Sequence, residues 1–200
     1  ALRHLMAGYG QGFEAWMHDP TAGPYGSSGN GSAMRVSAIG LAGWSLERTL
    51  DVATRSAECT HNHPEGIQGA RAVAAAVWLA RQQVSRTEIR SRVAELSGYA
   101  LDRSLDRIRP DYGWSASCRD SVPEAITCFL EADDYEHALR NVLSLGGDTD
   151  TQCAIAGAIA AAYWGGVPRA IADEAVRRLP VDVMDAVNHV AFAQANTAFA

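Results

Sequence analysis

Apolar side chains recur every three to four positions along most of the chain and nowhere alternate for a useful length. That period is helical, because residues at i, i+3, i+4 and i+7 share one face of a 3.6-residue helix, whereas a half-buried strand alternates. Leu46, Leu50 and Ala53 predict a helix from 45 to about 57. Ile67, Ala70, Val73, Val77 and Ala80 predict another from 64 to about 83, with Pro64 in a first turn where its missing N–H is not needed. Further helices are expected over 86–96, 121–132, 135–145, 151–164, 168–179 and 181 to about 198.

Punctuation along the chain agrees with this pattern. Ser121-x-x-Glu124 reads as a capping box, each side chain bonding the other residue's backbone N–H. The adjacent pair Asp133-Asp134 suits the cap of the helix that starts near Tyr135. Gly146-Gly147 and Gly165-Gly166 stop two helices. The first stretch, to about Trp16, reads as a helix end and a glycine-rich turn. Residues 22–31 read as loop, and 101–112 as loop with a short helical turn. The expected fold class is all-α, at least six helices and no sheet, in a single domain over residues 1–200 with neither linker nor repeat.

Composition narrows the function. Hydrophobic residues make up 48% of the 200, enough to form a core. A net charge of −6 argues against a broad nucleic-acid surface, though not against a small anion held locally. Cys59, Cys118, Cys128 and Cys153 form no C-x-x-C pair, so neither a disulfide framework nor a cysteine zinc site is expected. No 18-residue apolar run exists to span a membrane, and the first nine residues show no apolar signal core. The expected location is the cytoplasm.

Three strings carry chemistry. In Gly146-Gly147-Asp148-Thr149-Asp150-Thr151, two carboxylates and a hydroxyl lie at a helix-to-helix junction. They read either as caps for the next helix or as oxygen ligands for a hard cation such as Mg²⁺. Ser27-Ser28-Gly29-Asn30-Gly31-Ser32-Ala33-Met34-Arg35 is a glycine-rich loop before a helix. It reads either as an ordinary turn or as an anion cradle, with Arg35 pairing a phosphate. In Thr60-His61-Asn62-His63-Pro64-Glu65, the histidines lack the further ligands that zinc requires. They read as caps or as hydrogen-bonding groups for a sugar or phosphate.

Taken in order, GNGSAMR (29–35), THNHPEGIQGA (60–70), SVPEAITCFL (121–130) and LGGDTDT (145–151) resemble the bacterial ADP-ribosylglycohydrolases related to dinitrogenase-reductase-activating glycohydrolase. The resemblance runs from about Tyr9 to Gly166. It implies an orthogonal bundle of α-helices, two Mg²⁺ ions in complete members, and hydrolysis of the glycosidic bond joining ADP-ribose to an acceptor. It implies Asp148, Asp150 and Thr151 as metal ligands, the two aspartates being catalytic. It implies Ser28, Gly29, Asn30, Gly31, Arg35 and His61 as contacts to ADP-ribose or an ADP-ribosylated substrate.

The family's G-D-x-x-G and T-D-D-T strings are not found in these 200 residues. The expectation is a member lacking its first ~60 residues, for a single-domain family length of roughly 250. Such a chain would hold one Mg²⁺ or none, and would be weakly active or inactive alone. It would be prone to dimerise, or would need a complementing N-terminal segment. The alternative is a non-catalytic ADP-ribose-binding or regulatory module; a third reading is a purely structural scaffold. The expected cleft joins Asp148 and Asp150 with Asn30 and His61.

Overall fold

A computed structural model of the chain describes residues 8–197, with side chains described through residue 189. The parts of the expected N-terminal and C-terminal helix ends at residues 1–7 and 198 lie outside them. The chain divides after Gly165 into two compact units. Among the described residues there are helices and no strand, only an isolated antiparallel bridge between Gly29 and Ser117. The all-α class therefore holds.

The first unit contains α1 (Gln11–His18), α2 (Gly31–Met34), α3 (Ser37–Leu41), α4 (Leu46–Glu58) and α5 (Pro64–Arg81). It continues with α6 (Arg86–Ser97), α7 (Leu105–Ile108), α8 (Cys118–Leu130), α9 (Tyr135–Leu145) and α10 (Thr149–Trp164). Helix α5 is its axis, with α2, α3, α4, α6, α8 and α10 all packed on it. The sequence explains why. Gly66, Gly69, Ala70, Ala72, Val73, Ala74, Ala76, Val77 and Ala80 are buried around every face of α5, and a helix apolar all round belongs inside. Its small side chains let neighbouring backbones come close. A Cβ added at Gly40 of α3 would stand 2.7 Å from Val77 Cβ and 2.8 Å from the Ala74 carbonyl oxygen.

Polar side chains punctuate these helices as local chemistry dictates. Ser45 caps α4 by accepting from the Arg48 N–H, and Ser85 caps α6 by accepting from Glu88. Asp134 caps α9 by accepting from His137 at 2.7 Å, as the aspartate pair suggested. Gly98 ends α6 in the left-handed region at φ +69°.

Two starts differ from expectation. Helix α8 begins one turn early, and its cap is Ser117, not Ser121: Ser117 Oγ accepts from the Asp120 N–H at 3.1 Å and donates to Asp120 Oδ2 at 2.8 Å. Ser-x-x-Asp and Ser-x-x-Glu are the same local grammar, and burial decides between them. Asp120 is exposed, as a capping carboxylate prefers, whereas Glu124 is buried at 4% exposure. Pro123 consequently sits inside the helix. Helix α10 also starts two residues early, at Thr149. The first stretch is a formed helix, α1, and two short helices follow the glycine-rich loop.

The second unit contains α11 (Arg169–Arg178) and α12 (Val181–Thr197), with Pro180 between them. Pairs such as Arg178–Glu174 and Arg169–Asp173 lace the exposed side of α11 at helical spacing. No helix among the described residues is long and apolar enough to cross a membrane.

The close approach at α5 is testable. Gly40→Ala is expected to destabilise the protein by roughly 1–3 kcal/mol in chemical denaturation, although alanine favours helices. Gly157→Ala, whose added methyl would meet only the movable ends of Leu139 and Tyr135 at 3.2 and 3.3 Å, should cost under about 1 kcal/mol. Equal stability for Gly40→Ala and wild type would refute the tight α3–α5 contact.

Candidate functional site

Asn30 is the point at which the distant strings meet. Its backbone N–H donates to the Ala116 carbonyl at 2.8 Å, and the Cys118 N–H donates to the Ser28 carbonyl at 2.9 Å. Those two bonds zip residues 28–30 to the segment entering α8. The Asn30 side-chain amide then donates to Ser121 Oγ at 3.1 Å and to Asp148 Oδ2 at 2.8 Å. One buried amide thus links the GNGSAMR loop, the first turns of α8 and the LGGDTDT loop, across 118 residues of sequence in the last case.

The turn before Asp148 needs glycine. Gly146 and Gly147 have φ of +76° and +78°, a region that side chains disfavour. A Cβ at Gly147 would also lie 2.9 Å from Tyr112 Cε1 and 3.1 Å from the Gly113 carbonyl oxygen. Asp148 occupies the cap position of α10 but makes no side-chain cap bond; its carboxylate is turned to Asn30 and Asp150. Asp150 accepts its own neighbour's N–H, from Thr151, at 2.9 Å. The Thr151 hydroxyl donates to Met34 Sδ at 3.6 Å, which leaves its oxygen lone pairs uncommitted by that bond.

The two carboxylates push each other's acidity apart. Burial raises the Asp148 pKa above the ordinary carboxylate range, the Asn30 bond opposes this, and the neighbouring Asp150 charge adds to it. The hydrogen bond from Asp148 lowers Asp150, helped by the Thr151 N–H. Asp148 is therefore the weaker acid of the pair and Asp150 the stronger. No arginine or histidine among the described residues pairs with either carboxylate. Two adjoining carboxylates and a hydroxyl, without a cationic side chain, are the donor set that a hard divalent cation takes. They supply only part of a shell: among the described residues no group of three or more His, Cys, Asp or Glu gathers as a metal site.

His61 lies beneath the glycine-rich loop. Its Nε2 would stand 3.2 Å from a Cβ added at Gly31 and 3.6 Å from one at Gly29, so this loop rests directly on the imidazole. Arg35 donates to Thr60 Oγ1 at 3.1 Å, and Thr60 Oγ1 lies 2.7 Å from His61 Nδ1. The Thr60 hydroxyl, with two lone pairs and one hydrogen, serves Arg35 and His61 Nδ1 together and so ties the two side chains to each other. Burial, and then the nearby Arg35 charge, push the His61 pKa down to about 4. Arg35 also donates to the Ser56 carbonyl at 3.0 Å. Its guanidinium therefore holds the end of α4 and orients His61 through Thr60.

The expected neighbours divide accordingly. Asn30, Asp148, Asp150 and Thr151 come together, with Ser28, Gly29, Gly31 and His61 adjoining. The Gly29 and Asn30 N–H groups, candidates for an anion cradle, donate instead to Ser27 Oγ and the Ala116 carbonyl. Sequence reasoning missed Ser121 as a site residue, reading it only as a cap. It also missed Tyr112 and Gln152, which flank Gly147 and carry no motif.

The family model described as ADP-ribosylglycohydrolase matches residues 1–196. The chain belongs to the ADP-ribosylglycohydrolase family. Among its relatives, the ADP-ribosylhydrolase ARH3 of Mus musculus is 34% identical over 185 residues, covering 70% of this chain and 50% of that protein. The ARH3 of Homo sapiens is 32% identical, covering 70% and 51%. An uncharacterized protein of Archaeoglobus fulgidus is 33% identical, covering 84% of this chain and 57% of its own length. The chain thus spans about half the length of the ARH3 relatives it matches. A solved structure titled ADP-ribosylglycohydrolase-related protein complex shares the fold, with TM-score 0.60 and 24% identity over 78% of this chain and 57% of that one.

The buried neutral His61 makes stability depend on pH. Between about 4 and 6.5 the unfolded chain binds a proton that folded His61 refuses, so stability rises with pH in that window and is lost as pH falls through it. Wild type is expected to lose up to about 3 kcal/mol more than His61→Gln between pH 6.5 and 4 in denaturant titrations. Parallel pH profiles for the two proteins would show that His61 is not held neutral.

Proposed function

We propose that this chain contributes to a site that hydrolyses the glycosidic bond between ADP-ribose and an acceptor, with Mg²⁺ at Asp148, Asp150 and Thr151. The observation that carries the reading is the Asn30–Asp148 hydrogen bond. It joins the two family strings at one place and holds a carboxylate away from the capping role that its position would otherwise give it. Family membership and the ARH3 relatives supply the substrate class, ADP-ribose linkages.

The side chains divide the work. Asn30 pins one oxygen of Asp148 and so orients the carboxyl. Asp150, the more acidic of the two and without a cationic partner among the described residues, is the group placed to accept a proton from an attacking water. Thr151 adds an oxygen whose hydrogen is already given to Met34. Bound at these oxygens, Mg²⁺ would supply positive charge to orient the ribose and acidify water. Ser28 to Gly31 form the wall on which the ligand lies, and neutral His61 beneath them supports it with a hydrogen-bonding group rather than a charge.

A second reading, a non-catalytic ADP-ribose-binding module, is favoured by the small number of gathered ligands. Two carboxylates and a hydroxyl leave most of a Mg²⁺ shell to water, so affinity is expected to be weak and turnover by the chain alone slow.

The deciding experiment incubates the purified chain with Mg²⁺ and peptides ADP-ribosylated on serine or arginine, and measures released ADP-ribose. Release that needs Mg²⁺ and falls by about 10²-fold or more in Asp150→Asn supports the hydrolase. Calorimetric binding of ADP-ribose without Mg²⁺ and without release supports the binding module. Release unchanged by chelation and by Asp150→Asn sinks the assignment of these carboxylates.

A further inference from the structure

Among the described residues five buried side-chain polar atoms have no hydrogen-bond partner in the protein, and three of them, Tyr112 Oη, Glu124 Oε2 and Gln152 Oε1, belong to the elements around Gly147. Glu124 is 4% exposed and Gln152 is 0% exposed, so each orphan carries a desolvation cost. The three side chains adjoin. Tyr112 Cε1 and Gln152 Nε2 both flank Gly147, at 2.9 and 3.3 Å from an added Cβ. Tyr112 packs on the small cluster that contains Cys128 and Ala156, each four residues beyond Glu124 and Gln152 on α8 and α10. Among charges, Glu124 acts most strongly on Tyr112, whose hydroxyl burial holds in its neutral form.

We infer that one ordered water bridges Tyr112 Oη, Glu124 Oε2 and Gln152 Oε1 beneath the 146–148 loop, and that Glu124 is thereby a positioning residue for Asp148. The donor count selects the occupant. The phenol has one hydrogen to give, while the carboxylate and amide oxygens each lack one to receive. The Gln152 amide is oriented by its Nε2, which donates to the Gly146 carbonyl at 3.3 Å. A water accepts one hydrogen and donates two, which satisfies all three groups. Charge selects it too. Arg103 already pairs with Glu124 Oε1, so a bound cation would leave net positive charge buried, and a neutral molecule would not.

The water would complete a second polar layer under the first. In the upper layer Asn30 joins Ser121 of α8 to Asp148. One turn further along the same helices, Glu124 follows Ser121 and Gln152 follows Asp148, and the water joins them. Gly147 is gripped from below by Tyr112 and Gln152, and Asp148 is its next residue. The meaning for function rests on the reading of Asp148 given above; the water itself does not.

Two measurements on the whole chain test this without activity. A high-resolution crystal structure is expected to show one water within about 3.2 Å of all three atoms. Absence of a shared water, or a direct Tyr112–Glu124 contact, overturns the proposal. By NMR, Tyr112→Phe keeps the ring on Gly147 but removes the hydroxyl. It should speed amide exchange at residues 146–150 about fivefold, the size of one neutral hydrogen bond, and shift the Asn30 side-chain amide signals. Glu124→Leu should do the same, and Glu124→Gln, which keeps an acceptor, should restore most of the protection. Exchange and Asn30 signals unchanged in Tyr112→Phe would overturn the positioning role. Failure of hydrolysis with this exchange pattern intact would count against the proposed function and leave the water standing.

Discussion

Everything around the site depends on keeping the Asn30 amide buried and fully engaged. The side chain is 5% exposed, and its two described bonds run to a hydroxyl on α8 and a carboxylate before α10. A buried amide-to-carboxyl hydrogen bond contributes about 1 kcal/mol net, and leaving the amide unpaired would cost roughly 1–3 kcal/mol. That is enough to choose one loop arrangement among many for residues 146–148, whose two left-handed glycines impose few preferences of their own. The bond also explains why Asp148 is no cap: a carboxylate that serves Asn30 is turned away from the first N–H groups of α10.

That arrangement depends in turn on how near the helices can come. Gly66 is the clearest case, since a Cβ there would meet the Ser27 carbonyl at 2.7 Å and the His61 carbonyl at 2.9 Å. The first turn of α5 therefore has to be bare for the segments bearing Ser28 and His61 to lie on it. Ser32 Oγ then bonds the Gly66 carbonyl at 2.7 Å, so the same close approach is also hydrogen-bonded. The small-residue composition of α5 gives it a weak amphipathic signature and a central position at once. It is a packing surface on all sides, and the site is assembled at its N-terminal end.

Helices were legible in the sequence wherever periodicity and caps agreed, as at Ser45, Ser85 and Asp134. Local grammar failed at α8 because Ser117-x-x-Asp120 and Ser121-x-x-Glu124 are equally good caps, and only burial, a property of the whole fold, separates them. Asp148 and Asp150 were legible as candidates, but capping and ligation draw on the same oxygen chemistry, and a partner 118 residues away decided the matter for Asp148. Arg35 reads in the sequence either as part of an ordinary turn or as a phosphate partner; that it also bonds the Ser56 carbonyl and Thr60 at another helix's end is something spacing does not reveal. Tyr112 and Gln152 carry no motif, and their importance comes only from what they touch.

The site has two electrostatic ends, produced by different means. At one end Asp148 and Asp150 stand together without a cationic partner among the described residues, so negative charge is left uncompensated there and Asp148 becomes a weaker acid than an ordinary aspartate. At the other, Arg35 lies close to His61 but its charge is spent on the α4 carboxyl-terminal carbonyl and on Thr60, and the imidazole stays neutral. A phosphate approaching the His61 end would meet a neutral imidazole and a guanidinium already engaged by Ser56 and Thr60, rather than an imidazolium. Such contact discriminates by geometry more than by charge, because a neutral group rewards alignment where a charge rewards mere proximity. Strong pull is then confined to the carboxylate end, where charge is left uncompensated. That is the division the proposed hydrolysis would call for, with a long anionic ligand held loosely along its length and acted on at one bond.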